Sequence, residues 1–129
     1  MNKFEIVKNS YIKAVDQLKK VLERDSNDEL IQVGCIQYFE FCFELAWKTI
    51  KVALTDQGLP DCYSPKACLK QAFSVGWIQN ENVWLTMLDA RNRMSHIYNA
   101  QSALDIYKQL AGFLLEFEIL VENLKPLSE

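Results

Sequence analysis

The sequence predicts an all-α protein, an up-and-down bundle of four longer helices with one additional short helix. Apolar residues recur every three or four positions along most of the 129-residue chain, which is the period of a helix. No segment alternates apolar and polar residues as a half-buried strand does. The chain has only 4 glycines and 3 prolines, so few turns are expected between long helices.

Length and composition indicate one domain, residues 1–129, large enough to bury a core without a disulfide or a metal. The formal net charge of -3 gives no general attraction for nucleic acid, so an RNA contact must be local or supplied by a partner. No apolar run approaches the ~20 residues of a membrane span, and the N-terminus lacks the apolar core of a signal peptide. We therefore expect a cytoplasmic protein without a membrane partner.

The four cysteines do not have the spacing of a metal site. None forms a C-x-x-C pair, and the single histidine cannot complete a zinc site of the usual Cys/His kind. We therefore expect no metal and no other cofactor, and reduced thiols, as is usual in the cytoplasm. Cys35 and Cys42 are expected to lie on one side of a helix as small apolar groups.

The first helix is predicted from an apolar stripe that runs from Phe4 to Leu22. The pattern breaks at residues 24–27. Ser26 and Glu29 then have the spacing of a capping box, which predicts that the second helix starts there.

The second helix, about Asp28 to Asp56, is predicted to be apolar nearly all round, which requires cover on nearly all sides. We predict that a second copy of the chain covers one side in a homodimer, because large apolar patches are rarely left exposed. The alternative is that a later helix of the same chain covers it. The two apolar stripes are Ile31, Cys35, Tyr38, Cys42, Leu45, Thr49 and Val52, and Ile36, Phe39, Phe43, Ala46 or Trp47, Ile50 and Leu54.

Three further helices follow a loop at residues 58–61. Ser64–Pro65 has the N-cap and first residue of a short helix to Val75. The next helix is expected to start at Asn80 or Glu81, and the last to span about residues 102–124. The side chains expected to face inward in these three helices are Ala67, Cys68, Ala72, Phe73, Val83, Trp84, Met87, Leu88, Ala90, Met94, Ile97, Ala103, Ile106, Leu110, Phe113, Phe117, Leu120 and Leu124.

The functional site is predicted in residues 91–98, Arg-Asn-Arg-Met-Ser-His-Ile-Tyr, between the last two helices. Such a polar, cationic cluster is either a helix end, with Asn99 capping the next helix, or a site. On a continuous helix positions 91 and 98 share a face, whereas positions 91 and 96 differ by about 140°. Loosening of the helix near Ser95 would favour crowding of these groups at one edge.

Arg91 and His96 are suited to metal-independent cleavage of RNA. The imidazole exchanges a proton near neutral pH, and the guanidinium matches phosphate and its transition-state charge. Cleavage needs both a base and an acid, yet one chain has a single histidine. Two chains related by a two-fold axis would bring two histidines and two arginines to one groove, in agreement with the predicted homodimer.

Arg91-x4-His96-x-Tyr98 resembles the R-x4-H-x-Y signature of HepT-like proteins in the HEPN superfamily. The segments FEFCFELAWK at residues 39–48, SPK at 64–66 and WLxMLxxRN at 84–92 are similar to blocks of nucleotidyltransferase substrate-binding proteins. The resemblance extends over roughly residues 28–107.

The resemblance implies a HEPN-like bundle that forms homodimers and is paired with a small cognate nucleotidyltransferase. HepT-like members are toxins of toxin–antitoxin pairs, and the active ones are metal-independent endoribonucleases. In that family pattern Arg91 and His96 are the catalytic pair, and Asn92 is the polar residue that follows the arginine. Tyr98 matches the tyrosine that the partner enzyme adenylylates to silence the toxin.

Two other interpretations remain open. In a non-catalytic subunit of a nucleotidyltransferase complex, the site would hold a nucleotide or the partner, with Arg91 and Arg93 as phosphate clamps. In a purely structural adaptor, residues 91–98 would only cap helices.

In the interpretation that we prefer, residues 91–98 form a site, and Asn92 and Arg93 are assigned to nucleotide or RNA binding.

Other polar and aromatic residues are assigned structural roles. The three tryptophans are expected in the core or an interface rather than stacked on bases. Glu40, Glu44 and Asp89 are not assigned to a metal, because Glu44 with Lys48 and Asp89 with Arg93 have the spacing of ordinary i,i+4 pairs.

Overall fold

The structure, a computed structural model, describes residues 2–24, 26–96 and 99–127, without the side chains of Ser95 and His96. Within these ranges every regular element is helical, which confirms the all-α prediction. The elements are α1 (Lys3–Leu22), α2 (Glu29–Asp56), α3 (Pro65–Ser74), α4 (Glu81–His96), α5 (Ala100–Leu124) and a final 3-10 turn (Lys125–Leu127). No helix in the described ranges is long and apolar enough to cross a bilayer.

The bundle is centred on α2, which packs against each of the other four α-helices. Its core is aromatic where α2 meets α5, with the rings of Phe39 and Phe113 stacked at 5.3 Å between centroids. The Phe117 ring lies edge-on to Tyr11 and Trp84, at 6.3 and 5.5 Å. The Tyr11 hydroxyl donates to the Phe117 carbonyl at 2.7 Å, which joins α1 to α5 inside the core.

The two apolar stripes of α2 are covered largely within the chain. The second stripe, which starts at Ile36 and is the side for which we expected cover from a second copy, is buried within the single chain. The alternative of cover by a later helix of the same chain is therefore correct for this stripe. Its buried members are Ile36, Phe39, Phe43, Ala46, Ile50 and Leu54. The large apolar residues that α2 exposes are Leu30 and Phe41, which lie outside both stripes, and Ile31, the first residue of the first stripe.

Side-chain caps define where the helices begin. The predicted capping box at Ser26 was wrong, because the Ser26 hydroxyl accepts from the Asp28 N–H and forms a turn ahead of the helix. Asp28 is the N-cap, and its carboxylate accepts from the Leu30 N–H at 2.8 Å. The predicted cap Ser64 is confirmed, with its hydroxyl accepting from the Ala67 N–H at 3.1 Å.

A glycine follows the end of α2 and the end of α3, as expected. Gly58 and Gly76 have φ of 71° and 83°, the left-handed conformation that follows many helices.

Phe73 on α3 was predicted to face inward. This is wrong, since its side chain is 44% exposed and Leu69 is buried instead. Only one side of this short helix is covered by α2 and α4, and Phe73 lies away from it.

The cysteines divide into two pairs. Cys62 and Cys68 form a disulfide with a Cα–Cα distance of 5.1 Å, so the expectation of four reduced thiols was wrong. The loop after α2 brings Cys62 against the first turns of α3. Cys35 and Cys42 are free and buried, as predicted, and burial raises the pKa of the Cys42 thiol to about 12.

This arrangement predicts a stepwise thiol count. The native protein should show almost no thiol reaction with Ellman's reagent at pH 8, because the free thiols are buried and protonated. Unfolding without a reductant should expose two thiols, and unfolding after reduction should expose all four. Four reactive thiols in the unreduced unfolded protein would contradict the disulfide.

Candidate functional site

Arg91 connects α4 to α2 through a single carboxylate oxygen. Its Nε donates to Glu44 Oε1 at 2.7 Å, and its Nη2 lies 2.5 Å from the same oxygen. The two side chains are 28% and 30% exposed. Charge-assisted hydrogen bonds of this kind are stronger than neutral ones, and partial burial protects them from screening. The guanidinium is therefore held in place at the edge between α2 and α4.

Trp47 fixes the other side of the Glu44 carboxylate. Its indole Nε1 donates to Glu44 Oε2 at 2.9 Å, so each carboxylate oxygen accepts from a different side chain. Trp47 and Glu44 are three residues apart on α2 and therefore neighbours on the helix surface. Trp47, Glu44 and Arg91 form a continuous series of hydrogen bonds from α2 to α4, which we call the Glu44 network.

Asn92 extends this network, whereas Arg93 does not join it. The Asn92 Oδ1 accepts from Arg91 Nη1 at 3.1 Å. Arg93 pairs instead with Asp89 one turn earlier, with Nε to Oδ2 at 3.1 Å, which confirms that predicted i,i+4 pair. The two arginines therefore engage different carboxylates, Arg91 that of Glu44 and Arg93 that of Asp89.

Glu40 adds a second carboxylate near Arg91. It lies one turn before Glu44 on α2 and is half-buried. Burial raises the pKa of the Glu40 carboxyl, an effect that the Arg91 charge opposes and the Glu44 charge reinforces. The edge between α2 and α4 therefore places two acidic groups beside the motif arginine.

His96 is the last residue of α4, and both Tyr98 and Ile97, which was predicted to face inward, lie outside the described residues. The helix continues through Ser95, so the loosening considered there is not observed. On this continuous helix, position 96 is turned about 140° from position 91. Asn99 caps α5, as considered for the helix-end interpretation, with its Oδ1 accepting from the Ser102 N–H at 3.0 Å.

Glu44 and Trp47 were not identified as site residues from the sequence. The expected Glu44–Lys48 pair was wrong, since Glu44 binds Arg91 on α4 and the Lys48 ammonium lies 6.0 Å from the Trp47 ring centroid. The spacing of an acid three residues before a tryptophan was the available signal, but it does not reveal a partner on another helix. Trp77 and Trp84 are buried in the core, as predicted.

Metal ligands are not grouped in the part of the chain that the structure describes. There, no three His, Cys, Asp or Glu side chains come together as a cation site.

Comparisons with known proteins agree with this architecture. A structure from Thermus thermophilus is similar with a TM-score of 0.83 and 26% identity, covering 89% of this chain and 98% of that one. A Haemophilus influenzae structure, described as the fold of a substrate binding domain of a nucleotidyltransferase, gives a TM-score of 0.81 and 28% identity. That likeness covers 92% of this chain and 98% of the other.

Sequence comparison points to the same group of proteins. A curated relative from Haemophilus influenzae (strain KW20 / Rd), named probable ribonuclease HepT, is 35% identical over 102 residues, which is 76% of this chain and 69% of the relative. The model of the family described as nucleotidyltransferase substrate binding protein like matches residues 8–126. This chain belongs to that nucleotidyltransferase substrate-binding family.

Proposed function

We propose that this protein is a HepT-type toxin, a metal-independent endoribonuclease that acts in the cytoplasm and is paired with a small nucleotidyltransferase. The observation that carries the proposal is the fixed Arg91, which is held by two contacts to Glu44 five residues before the chain's only histidine. The 35% identity to a probable ribonuclease HepT supports the same activity.

The proposed reaction uses the RNA's own 2′-hydroxyl. A base removes its proton, the oxygen attacks the adjacent phosphorus, and the bond from phosphorus to the 5′-oxygen breaks. An acid protonates that leaving oxygen, so the products are a 2′,3′-cyclic phosphate and a 5′-hydroxyl. His96 is assigned to proton transfer and Arg91 to the charge that builds on the phosphate oxygens. Asn92 and Arg93 are assigned to binding of RNA phosphates.

The site is proposed to be shared between two chains. One chain supplies one histidine, whereas the reaction needs both a base and an acid. A homodimer would bring His96 and Arg91 of both chains to one groove. Phe41, three residues before Glu44 on α2, is 58% exposed and offers apolar surface for that contact.

The nucleotidyltransferase is proposed to act as antitoxin by adenylylating Tyr98. The modification would attach a phosphate and a nucleoside two residues from His96 in the chain. The added negative charge would repel RNA phosphate, and the added bulk would obstruct the groove. Tyr98 is therefore the assigned modification site.

The proposal is tested by incubating purified wild-type protein with RNA in excess EDTA. We expect cleavage that leaves 2′,3′-cyclic phosphate and 5′-hydroxyl ends, because no step uses a metal. Intact-mass measurement of the same sample must show unmodified protein. Absence of cleavage by this unmodified protein would refute the nuclease assignment.

A second candidate function is a non-catalytic substrate- or nucleotide-binding subunit of a nucleotidyltransferase complex. The observation that favours contact with a partner protein over cleavage is the pair of carboxylates, Glu40 and Glu44, beside Arg91 in a chain of net charge -3, since both weaken the attraction of Arg91 for RNA phosphate. It predicts a stable complex with the transferase but no cleavage of RNA.

A further inference from the structure

We propose that Glu44 is a positioning residue for Arg91, and that Trp47 in turn positions Glu44. The inference rests on the proposed function, because it assigns these side chains a role in the same cleavage reaction. Neither residue is proposed to touch RNA. Each acts through the next, from the Trp47 indole to the Glu44 carboxylate to the Arg91 guanidinium.

The hydrogen-bond geometry supports this order of action. Arg91 presents two nitrogens to one Glu44 oxygen, which determines both the position and the orientation of the planar guanidinium. The second Glu44 oxygen accepts from Trp47, so the carboxylate itself cannot rotate without losing a bond. Long arginine side chains otherwise sample many rotamers. A donor that is already oriented stabilises transition-state charge without reorganising.

The charge of Glu44 makes this role distinguishable from simple RNA binding. A carboxylate next to the motif arginine weakens attraction for the phosphate in the ground state. If Glu44 nevertheless serves catalysis, it must do so by orienting Arg91 for the transition state. Its removal should then slow the chemical step without weakening the binding of RNA, a pattern that separates orientation from affinity.

The same geometry excludes a purely local role on α2. Glu44 could have paired with Lys48 one turn later, but the structure directs both of its oxygens elsewhere. The pair it forms with Arg91 joins residues 47 positions apart in sequence. The Glu44 network therefore connects the longest helix to the helix that ends at His96.

The test compares Glu44→Gln and Trp47→Phe with the wild-type protein. The glutamine keeps the size of the Glu44 side chain and removes its charge. The phenylalanine keeps an aromatic ring at position 47 but lacks the indole N–H donor. Asp61→Asn is the matched control, because the Lys51–Asp61 ion pair has similar exposure and joins α2 to the loop that follows it. Circular dichroism confirms that each variant is folded.

Single-turnover cleavage and RNA affinity are then measured separately. We expect the cleavage rate to fall about 10- to 100-fold in Glu44→Gln and less in Trp47→Phe, since misplacing one group costs up to about 100-fold. The Kd for a 2′-O-methyl RNA oligonucleotide, which lacks the attacking hydroxyl, should stay equal or decrease. An unchanged or increased rate in Glu44→Gln, or a Kd that rises in parallel with the loss of rate, would overturn the inference.

A readout independent of activity separates this inference from the proposed function. In wild-type protein the Arg91 Nε–H is hydrogen-bonded and should give a protected signal in ¹H–¹⁵N NMR spectra. Glu44→Gln and Trp47→Phe should shift that signal and speed its exchange, whereas Asp61→Asn should not. If the wild-type protein cleaves no RNA, the proposed function is refuted. The positioning role is tested independently, because an unshifted Arg91 signal in both variants would refute it whether or not the protein cleaves RNA.

Discussion

Replacing His96 or Arg91 by alanine is expected to slow RNA cleavage by about 10²- to 10³-fold, the largest effect on activity of any single change. His96→Ala removes the only imidazole that one chain contributes to proton transfer. Arg91→Ala removes the guanidinium fork and leaves the Glu44 carboxylate without two of its donors. The rates are compared under single-turnover conditions with EDTA present.

Two controls make this result specific. Arg91→Lys retains the positive charge but cannot offer two nitrogens to one oxygen, so it should recover little of the lost rate. Lys108→Ala removes an exposed cation on α5 and should leave the rate unchanged. Full activity of His96→Ala would show that the assigned histidine is wrong, and full activity of Arg91→Lys would show that orientation of the fork does not matter.

Replacing Phe117 by alanine is expected to have the largest effect on stability, about 3–5 kcal/mol of unfolding free energy. The ring is fully buried and contacts the aromatic rings of Tyr11, Phe39 and Trp84, which come from three other helices. Removing it leaves a cavity at the place where α1, α2, α4 and α5 meet. Urea denaturation followed by circular dichroism measures the loss.

Leu115→Ala is the matched control for this measurement. Leu115 is on the same helix, two residues earlier, and its side chain is 60% exposed. Its replacement should change stability by no more than about 0.5 kcal/mol. If Phe117→Ala cost as little as Leu115→Ala, the aromatic core would not be the centre of the fold.

The last helix shows where sequence periodicity is sufficient. All seven side chains predicted to face inward on α5 are buried. They form a single apolar stripe on an amphipathic helix, so only one face of the helix can pack against the core. The starts of α3 and α4 were also predicted correctly, since Ser64–Pro65 and the Asn80–Glu81 region are local signals. Local patterns thus predicted the elements and most of the core.

Periodicity did not predict which partner covers a buried face. The second stripe of α2 was correctly expected to be covered, but the cover comes from the same chain. The Cys62–Cys68 disulfide and the Glu44–Arg91 contact were not predicted for the same reason. Both depend on the path of the chain in three dimensions, which local patterns do not contain. The sequence motif predicted Arg91 and His96 as site residues. The contacts of Glu44 with Arg91 and of Trp47 with Glu44 were found only in the structure.

The central claim is that each chain contributes half of a metal-independent site, and the most direct test is cleavage by wild-type protein in EDTA across a dilution series. Sedimentation velocity at the same concentrations gives the fraction of dimer. We predict that the specific activity rises and falls with the dimer fraction, because one chain has one histidine. A constant specific activity at concentrations where monomer dominates would contradict the claim.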